Sequence, residues 1–243
     1  MPVKRLTAAK SRLAHPERAA LALAMAQDTV AAARDIDHAV VVAVVVVTND
    51  RTARADIADM DARVVIIPDL PDTGLNAALT HGAAEAARRW PGAGVAAMSA
   101  DLAALRPAEL RAALLAVPPE RRAMVADADG TGTVMLAATP GSPLAPRFGP
   151  ASRAEHVRSG AWDLTAPLGP SVPGLRRDVD TLDDLQEALR LGVGPRTRDI
   201  LKTPGAAGHS KGTIIARPLA YQRLTDVSHD VQPAVVPDSL YGS

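Results

Sequence analysis

The feature that most constrains the fold is a run of valine and alanine over residues 39–47, followed by Thr48-Asn49-Asp50. An apolar run without polar alternation predicts a strand buried on both faces, as in a parallel sheet covered by helices. The run is roughly half as long as a membrane span requires, so we expect no membrane partner.

Predicted helices and strands alternate around this run. Helices are expected at residues 16–34, 75–90 and 107–117, and strands at residues 63–67, 94–98 and 122–126. A glycine-bearing turn then leads into residues 133–138 as an antiparallel hairpin partner. This order predicts an α/β fold with a doubly wound, mainly parallel sheet, helices on both faces and a late antiparallel hairpin. Ligands bind such sheets at the carboxyl ends of the strands.

The composition argues against several classes of function. Among 243 residues, 27 Lys and Arg balance 27 Asp and Glu, and the aromatic residues are one Phe, two Trp and two Tyr. A chain this neutral and this poor in aromatic side chains is not expected to bind nucleic acid. The absence of cysteine excludes disulfides, a thiolate zinc site and a cysteine nucleophile. No signal-peptide pattern opens the chain, so we expect a cytoplasmic protein.

The alternating pattern ends near residue 202. Residues 1–202 are therefore predicted to form one folded domain. Residues 203–243 contain scattered proline and glycine without a sustained period, and we expect them to form an irregular C-terminal tail.

Four cations stand within the first twelve residues, between a short predicted strand and the first helix: Lys4, Arg5, Lys10 and Arg12. Basic side chains and free backbone N–H groups at such a turn are what a polyphosphate requires. The alternative is that all four are ordinary solvated surface residues.

Carboxylates accompany two predicted strands. Asp101 follows the strand at 94–98, whereas Asp178 and Asp180 lie at the end of a short strand predicted at 175–179. Carboxylates at such positions are well placed to hold a hard cation through oxygen.

Helix capping is the alternative explanation for these acidic residues. Asp101 could cap a loop or helix, and Thr181 with Asp184 fits a capping box at the start of a helix predicted at 182–191. The capping box would leave Asp178 and Asp180 free.

Other polar positions could contact an anion or a base. Residues 130–133 (Gly-Thr-Gly-Thr) could present amides and hydroxyls to a phosphate or carboxylate, although a plain hairpin turn explains the glycines equally well. Gly149 and Ser152 precede a short helix, whose start favours an anion. Asn76, after Gly74, could contact a base edge or cap a helix.

The remaining signals narrow the reaction type. The chain carries no nucleophile elbow, P-loop or glycine-rich dinucleotide fingerprint. His81 and His156 lack a partner at metal-ligand spacing and are expected to be structural or to support ligand-contacting residues. This chain combines separated carboxylates, a basic loop and an amide-rich turn, a set that suits metal-assisted nucleotidyl transfer. Such a reaction requires positioning and charge stabilisation but no protein nucleophile.

Six stretches, in the same order, resemble the 2-phospho-L-lactate/phosphoenolpyruvate guanylyltransferase family of coenzyme F-420 biosynthesis. They are residues 2–13, 74–78, 100–107, 129–133, 148–152 and 174–181. The resemblance covers roughly residues 1–200. It implies a Rossmann-like fold of the nucleotide-diphospho-sugar transferase (GT-A-like) type. It also implies that residues 1–202 form a guanylyltransferase domain, which couples GTP to a small phosphorylated three-carbon acid.

The resemblance also implies roles for individual residues. The nucleotide-binding residues would be Lys4, Lys10, Arg12, Gly74 and Asn76. The acid-binding residues would be Thr133, Gly149 and Ser152. Mg²⁺ would be the cofactor, held by Asp101 and Asp178, with Asp180 as the alternative second ligand. Catalysis would rest on Lys10, Arg12 and Asp101.

The expected reaction joins GTP to phosphoenolpyruvate, or to 2-phospho-L-lactate as a second acceptor, and forms enolpyruvyl- or lactyl-diphospho-5'-guanosine and pyrophosphate. Two alternatives are another nucleotidyltransferase of the same fold, such as a molybdopterin guanylyl- or cytidylyltransferase, and a catalytically inactive nucleotide-binding module. A homodimer is left open.

Two features depart from the family pattern. Family members carry several apolar residues ahead of Pro2, so either the coding start lies further upstream or the first strand is truncated. Ala103 and Leu182 stand where the family usually has proline, which we expect to be tolerated.

Overall fold

The computed structural model describes residues 1–3, 10, 12–13 and 15–202. Helices and strands alternate over residues 18–126, and helices follow one another over residues 165–202. The strands are β1 (Val44–Val47), β2 (Val64–Ile67), β3 (Val95–Met98), β4 (Arg122–Ala126), β5 (Thr133–Ala138) and β6 (Trp162–Asp163). The helices are α1 (Arg18–Arg34), α2 (Arg51–Ala58), α3 (Leu75–Arg89), α4 (Pro107–Leu115), α5 (Ser152–Arg158), α6 (Thr165–Leu168), α7 (Pro173–Arg176), α8 (Leu182–Leu191) and α9 (Pro195–Lys202). The predicted α/β class is confirmed.

The strands form two sheets. β1 and β2 pair in parallel along their full length. The second sheet has the strand order β3-β5-β4-β6, in which β5 runs antiparallel to both of its neighbours and β6 runs parallel to β4. The late antiparallel hairpin is therefore confirmed, with strands at the predicted residues 122–126 and 133–138.

The valine run forms a shorter strand than its sequence predicts, because β1 begins at Val44 rather than at residue 39. A turn anchored on Asp37 occupies the first part of the run. The Asp37 carboxylate accepts from the amide of Ala39 at 2.9 Å, and the Asp37 carbonyl accepts from the amides of Val40 and Val41. These hydrogen bonds hold the backbone in a turn that cannot join the ladder with β2.

The helix α1 carries much of the core and anchors the start of α9. Its side chains Leu21, Met25 and Val30 are fully buried. The buried carboxylate of Asp28 accepts from the amide of Thr197 at 2.8 Å and therefore satisfies a backbone donor in the first turn of α9. Among the helices that the structure describes, none has the length and apolar character of a membrane span.

The strand predicted at residues 175–179 is wrong: α7 and an irregular link occupy this segment. The buried carboxylate of Glu109 accepts from the amide of Leu175 at 2.6 Å, which fixes the segment against α4. Arg176 donates to the carbonyls of Ala126 and Asp127 at the end of β4. The amide of Leu175 is therefore bonded to a side chain and not to a neighbouring strand, and the Arg176 side chain ties the segment to the end of β4.

An apolar cavity of about 490 Å³ lies between β1 and β3. Side chains of α3 and α4, including Leu79 and Leu114, complete its lining. The amine of Met1 donates to the carbonyl of Val45 at 2.8 Å, and burial lowers the pKa of this amine to about 5. Residues 1–3 meet β1 through one parallel bridge, between Pro2 and Val47.

We expect four apolar residues, Val-Ala-Val-Ala, added ahead of Met1 to stabilise the protein by on the order of 2–4 kcal/mol. Their side chains would fill the cavity, and their backbone would bond to the facing edges of β1 and β3. Urea unfolding measures the change. A Gly-Ser-Gly-Ser extension is the matched control, because it displaces the amine equally far without adding apolar side chains. Equal stability of the two extended proteins would contradict the expectation.

Candidate active site

The ammonium of Lys10 lies between two of the predicted site carboxylates. It forms ion pairs with Asp101 and with Asp180, the latter at 2.9 Å, and its side chain is only 10% exposed. Burial by itself would lower the pKa of Lys10, but the two carboxylates outweigh it and raise the pKa. The N-terminal segment and two distant acidic residues therefore meet at one point, as the resemblance to the family implies.

Asp101 is held in place by the backbone on either side of it. The amide of Ser99 donates to the carbonyl of Val134, and the amide of Leu102 donates to the buried hydroxyl of Thr29 at 3.1 Å. Asp101 caps no helix, because α4 begins at Pro107 with Arg106 at its N-cap. Its Oδ1 atom is buried and has no hydrogen-bond partner among the described residues.

Asp178 and Asp180 lie in the link between α7 and α8. Burial, followed by the charges of Asp101, Asp127 and Asp180, raises the pKa of Asp178 to about 7. Close approach of like charges has this effect on a carboxyl group. Asp101, Asp127 and Asp180 therefore each act on the carboxyl group of Asp178.

The predicted capping box at the start of α8 is confirmed. The hydroxyl of Thr181 accepts from the amide of Asp184 at 3.2 Å, and the carboxylate of Asp184 accepts from the amide of Thr181 at 2.9 Å. The box uses neither Asp178 nor Asp180 as a capping side chain. Capping and a charged site therefore coexist, as expected.

Asp127 is a neighbour of the site that the sequence analysis did not single out. It directly follows β4, and its carboxylate accepts from the amides of Thr131 and Gly132 at 3.0 and 2.8 Å. These two amides are consequently used within the hairpin turn, as the plain-turn interpretation predicts. One sequence feature could have identified Asp127 as part of the site: it is an aspartate at the carboxyl end of a predicted strand, and two glycines follow it.

Thr133, Gly149 and Ser152 lie close together on the other side of this turn. A β-bulge places Thr133, rather than Val134, opposite Ala126, and Thr133 is 7% exposed. Ser152 is buried, and its amide donates to the carbonyl of Gly149 at 3.1 Å. Gly149 has a φ of 142°, which L side chains rarely adopt.

His156 connects these residues. Its ring is fully buried, with Nδ1 at 2.9 Å from the Thr133 hydroxyl and Nε2 at 2.8 Å from the amide of Arg147. Burial, followed by the charges of Arg122 and Arg147, lowers the pKa of His156 to about 4. The ring is therefore neutral at ordinary pH.

Asn76 holds the loop next to this histidine. Its Nδ2 donates to the carbonyl of Phe148 at 3.0 Å, and its Oδ1 accepts from the amide of Phe148 at 2.8 Å. Gly74 is the N-cap residue of α3 and has a φ of 118°. Asn76 therefore positions the backbone next to Gly149, while its predicted contact with a base stays a prediction.

The structure thus assembles two groups of predicted residues. One comprises Lys10, Asp101, Asp178 and Asp180; the other comprises Asn76, Thr133, Gly149 and Ser152. Arg12 is exposed at the turn that follows Lys10, and the predicted phosphate ligand Lys4 lies outside the described residues. Among the described residues, no three His, Asp or Glu side chains are already arranged as a metal-binding group.

Comparison with known proteins identifies the family. The family model described as "Guanylyl transferase CofC like" matches residues 1–214. A phosphoenolpyruvate guanylyltransferase of Frankia casuarinae is 54% identical over 219 residues, covering 83% of this chain and 75% of the relative. Another, of Thermomonospora curvata, is 54% identical over 200 residues, covering 81% of this chain and 85% of the relative.

Among solved structures, a nucleotidyl transferase from Methanothermobacter thermautotroptrophicus is 19% identical, covers 68% of this chain and 81% of that chain, and has a TM-score of 0.49. The match to the family model and the identity to the two sequence relatives show that this chain belongs to the CofC-like guanylyl transferases, a family of nucleotidyltransferase enzymes.

Proposed function

We propose that this protein transfers the guanylyl group of GTP to phosphoenolpyruvate and releases pyrophosphate. The observation that carries the proposal is the Lys10 ammonium between Asp101 and Asp180, beside Asp178 with its raised pKa. A site that already places a cation between carboxylates suits anionic substrates whose charge a bound metal ion would help to neutralise. The names of the two relatives support phosphoenolpyruvate over 2-phospho-L-lactate as the acceptor.

The donor set fits Mg²⁺, which we propose as the divalent cation of this nucleotidyltransferase. The buried Oδ1 of Asp101 offers an oxygen without a hydrogen-bond partner among the described residues. Mg²⁺ is usually held by one or two carboxylates together with substrate phosphates and water. A site without a third preformed protein ligand therefore suits it. Asp101 and Asp178 would be the ligands, with Asp180 as the alternative second ligand.

The chain's own residues would stabilise the reacting charges. A phosphate oxygen of phosphoenolpyruvate attacks the α-phosphorus of GTP, while the bond from that phosphorus to the oxygen bridging the β-phosphate breaks. Lys10 and Arg12, together with Lys4, would bind the phosphates and stabilise the departing pyrophosphate. The bound cation supplies further neutralisation of the phosphate charge. The attacking phosphate is already anionic, so the step requires no protein nucleophile and no proton transfer.

The second group of residues would bind the acceptor and the nucleoside. The hydroxyls of Thr133 and Ser152 and the amide of Gly149 would donate to the phosphate and carboxylate of phosphoenolpyruvate. Gly74 and Asn76 would form part of the guanine and ribose pocket. We further propose that residues 1–202 form the catalytic domain and that the enzyme acts in the cytoplasm.

Pyrophosphate release tests the proposal directly. The full chain is mixed with GTP, MgCl₂ and either phosphoenolpyruvate or 2-phospho-L-lactate, and pyrophosphate is measured. We expect release with phosphoenolpyruvate. No release with either acceptor would refute the proposed reaction, and GTP binding without release would indicate an inactive nucleotide-binding module.

Asp101→Asn should lower kcat by on the order of 10³-fold, because the amide keeps the shape of the side chain but loses the charge that holds a cation. Steady-state pyrophosphate release measures the change. Asp59→Asn, at the exposed end of α2, is the matched control and should keep wild-type activity. Wild-type turnover by Asp101→Asn would show that this carboxylate is not a required metal ligand.

Asp178 should make stability depend on pH in the absence of Mg²⁺. Its pKa in the folded protein, about 7, lies above its ordinary value of 3.8. The folded state therefore binds more protons than the unfolded state between these values, and the free energy of unfolding falls as pH rises from about 4 to 7. We expect this contribution to be on the order of 4 kcal/mol, because the shift spans about three pKa units at about 1.4 kcal/mol each.

Urea unfolding of the wild type and of Asp178→Asn at pH 5 and pH 8 isolates this contribution, because the other titrating groups are common to both proteins. The wild type should lose more stability than the variant between the two pH values. Added MgCl₂ should restore stability at pH 8 in the wild type only. Parallel pH profiles, or equal stabilisation of both proteins by Mg²⁺, would contradict the role assigned to Asp178.

A further inference from the structure

The hydrogen bonds of His156 determine which of its ring nitrogens carries the proton. The amide of Arg147 can only donate, so Nε2, at 2.8 Å from it, must accept. A neutral imidazole has one N–H group, which therefore lies on Nδ1. The neutral state is supported by complete burial of the ring and by the nearby charges of Arg122 and Arg147.

The tautomer in turn determines the direction of the Thr133 hydroxyl. Since Nδ1 donates, the Thr133 oxygen must accept at their 2.9 Å contact. The hydroxyl hydrogen consequently points away from the ring. A phosphate or carboxylate group only accepts hydrogen bonds when ionised, so a hydroxyl oriented in this way is prepared to bind one.

His156 also fixes the loop beside Thr133. It accepts from Arg147, and Asn76 bonds to both the amide and the carbonyl of Phe148. The carbonyl of Gly149 accepts from the amide of Ser152. The Phe148 ring packs edge-on against His156, with 5.1 Å between ring centroids. The side chains of Asn76 and His156 and the amide of Ser152 therefore hold successive backbone groups of residues 147–149.

We propose that His156 is a positioning residue for acceptor binding: its ring orients the Thr133 hydroxyl as a donor to phosphoenolpyruvate. The proposal rests on the proposed function, because the contact of Thr133 with the acceptor is itself part of that function. His156 has no contact of its own with the acceptor. It acts through Thr133.

Two variants separate the two ring nitrogens. In His156→Asn the side-chain amide nitrogen can replace Nδ1 and still donate to Thr133. In His156→Gln the longer side chain reaches the position of Nε2, so its oxygen can accept from Arg147, but no donor remains for Thr133. Both variants remove the ring from the core, which makes each a control for the packing defect of the other.

We expect His156→Gln to raise the KM for phosphoenolpyruvate by about tenfold, the effect of one lost hydrogen bond. The KM for GTP and kcat should stay within about twofold of wild type. His156→Asn should keep the KM for phosphoenolpyruvate within about threefold. Equal KM values for phosphoenolpyruvate in the two variants, or an equal rise in both substrates' KM values, would overturn the proposal.

Thr133→Val supplies a test that does not require a stable His156 variant. If His156 acts through the hydroxyl, His156→Gln should add little to the rise in KM already caused by Thr133→Val. Independent, additive effects would overturn the proposal. In the wild-type protein, ¹⁵N NMR should show His156 protonated at Nδ1 and not at Nε2, and the opposite tautomer would also overturn it.

Equilibrium binding separates this proposal from the proposed function. If the wild type releases no pyrophosphate, the proposed reaction fails. Calorimetric titration of phosphoenolpyruvate into the wild type and His156→Gln then decides the role of His156. Binding that is about tenfold weaker in the variant supports the proposal. Equal affinity of the two proteins, or no binding to the wild type, overturns it.

Discussion

Mutual repulsion of carboxylates is the constraint on which the rest of this structure depends. Asp101 and Asp178 come from distant parts of the chain, and burial together with neighbouring negative charge raises the pKa of Asp178 to about 7. Carboxylates this close together stay in place only where the backbone that carries them is fixed and a cation lies near. Lys10 supplies the cation. The backbone around the site is held by hydrogen bonds to the side chains of Thr29, Glu109, Arg176 and Asp184.

The site divides into an acidic side and a side rich in hydrogen-bond donors, and the turn at residues 127–133 joins them. Asp127, at the start of the turn, contributes to the raised pKa of Asp178 and binds the turn's own amides. Thr133, at the end of the turn, is held by the neutral ring of His156. One short hairpin connection therefore sets the distance between the proposed metal site and the proposed acceptor site.

Much of this arrangement could be predicted from local sequence. The hairpin strands and the α8 capping box were predicted from residue pattern. The meeting of Lys10 with the acidic residues was implied by the resemblance to the family, because Asp180 lies in a link between helices and not at a strand end. The strand predicted at 175–179 was wrong: the amide of Leu175 donates to the Glu109 carboxylate, and the Arg176 side chain donates to the carbonyl of Ala126. The amides of residues 131–132 serve Asp127, a pairing that sequence spacing alone did not distinguish from an anion site.

The sequence by itself determined the α/β alternation, the strand end that Asp101 follows and the family to which the chain belongs. These follow from hydrophobic pattern and from ordered motifs, which are properties of the chain read along its length. Only the tertiary structure decided that Asn76 is bonded to Phe148 and that His156 is neutral with its proton on Nδ1. Protonation and hydrogen-bond direction depend on which groups are packed together, and residues 72 positions apart become partners only when the chain folds.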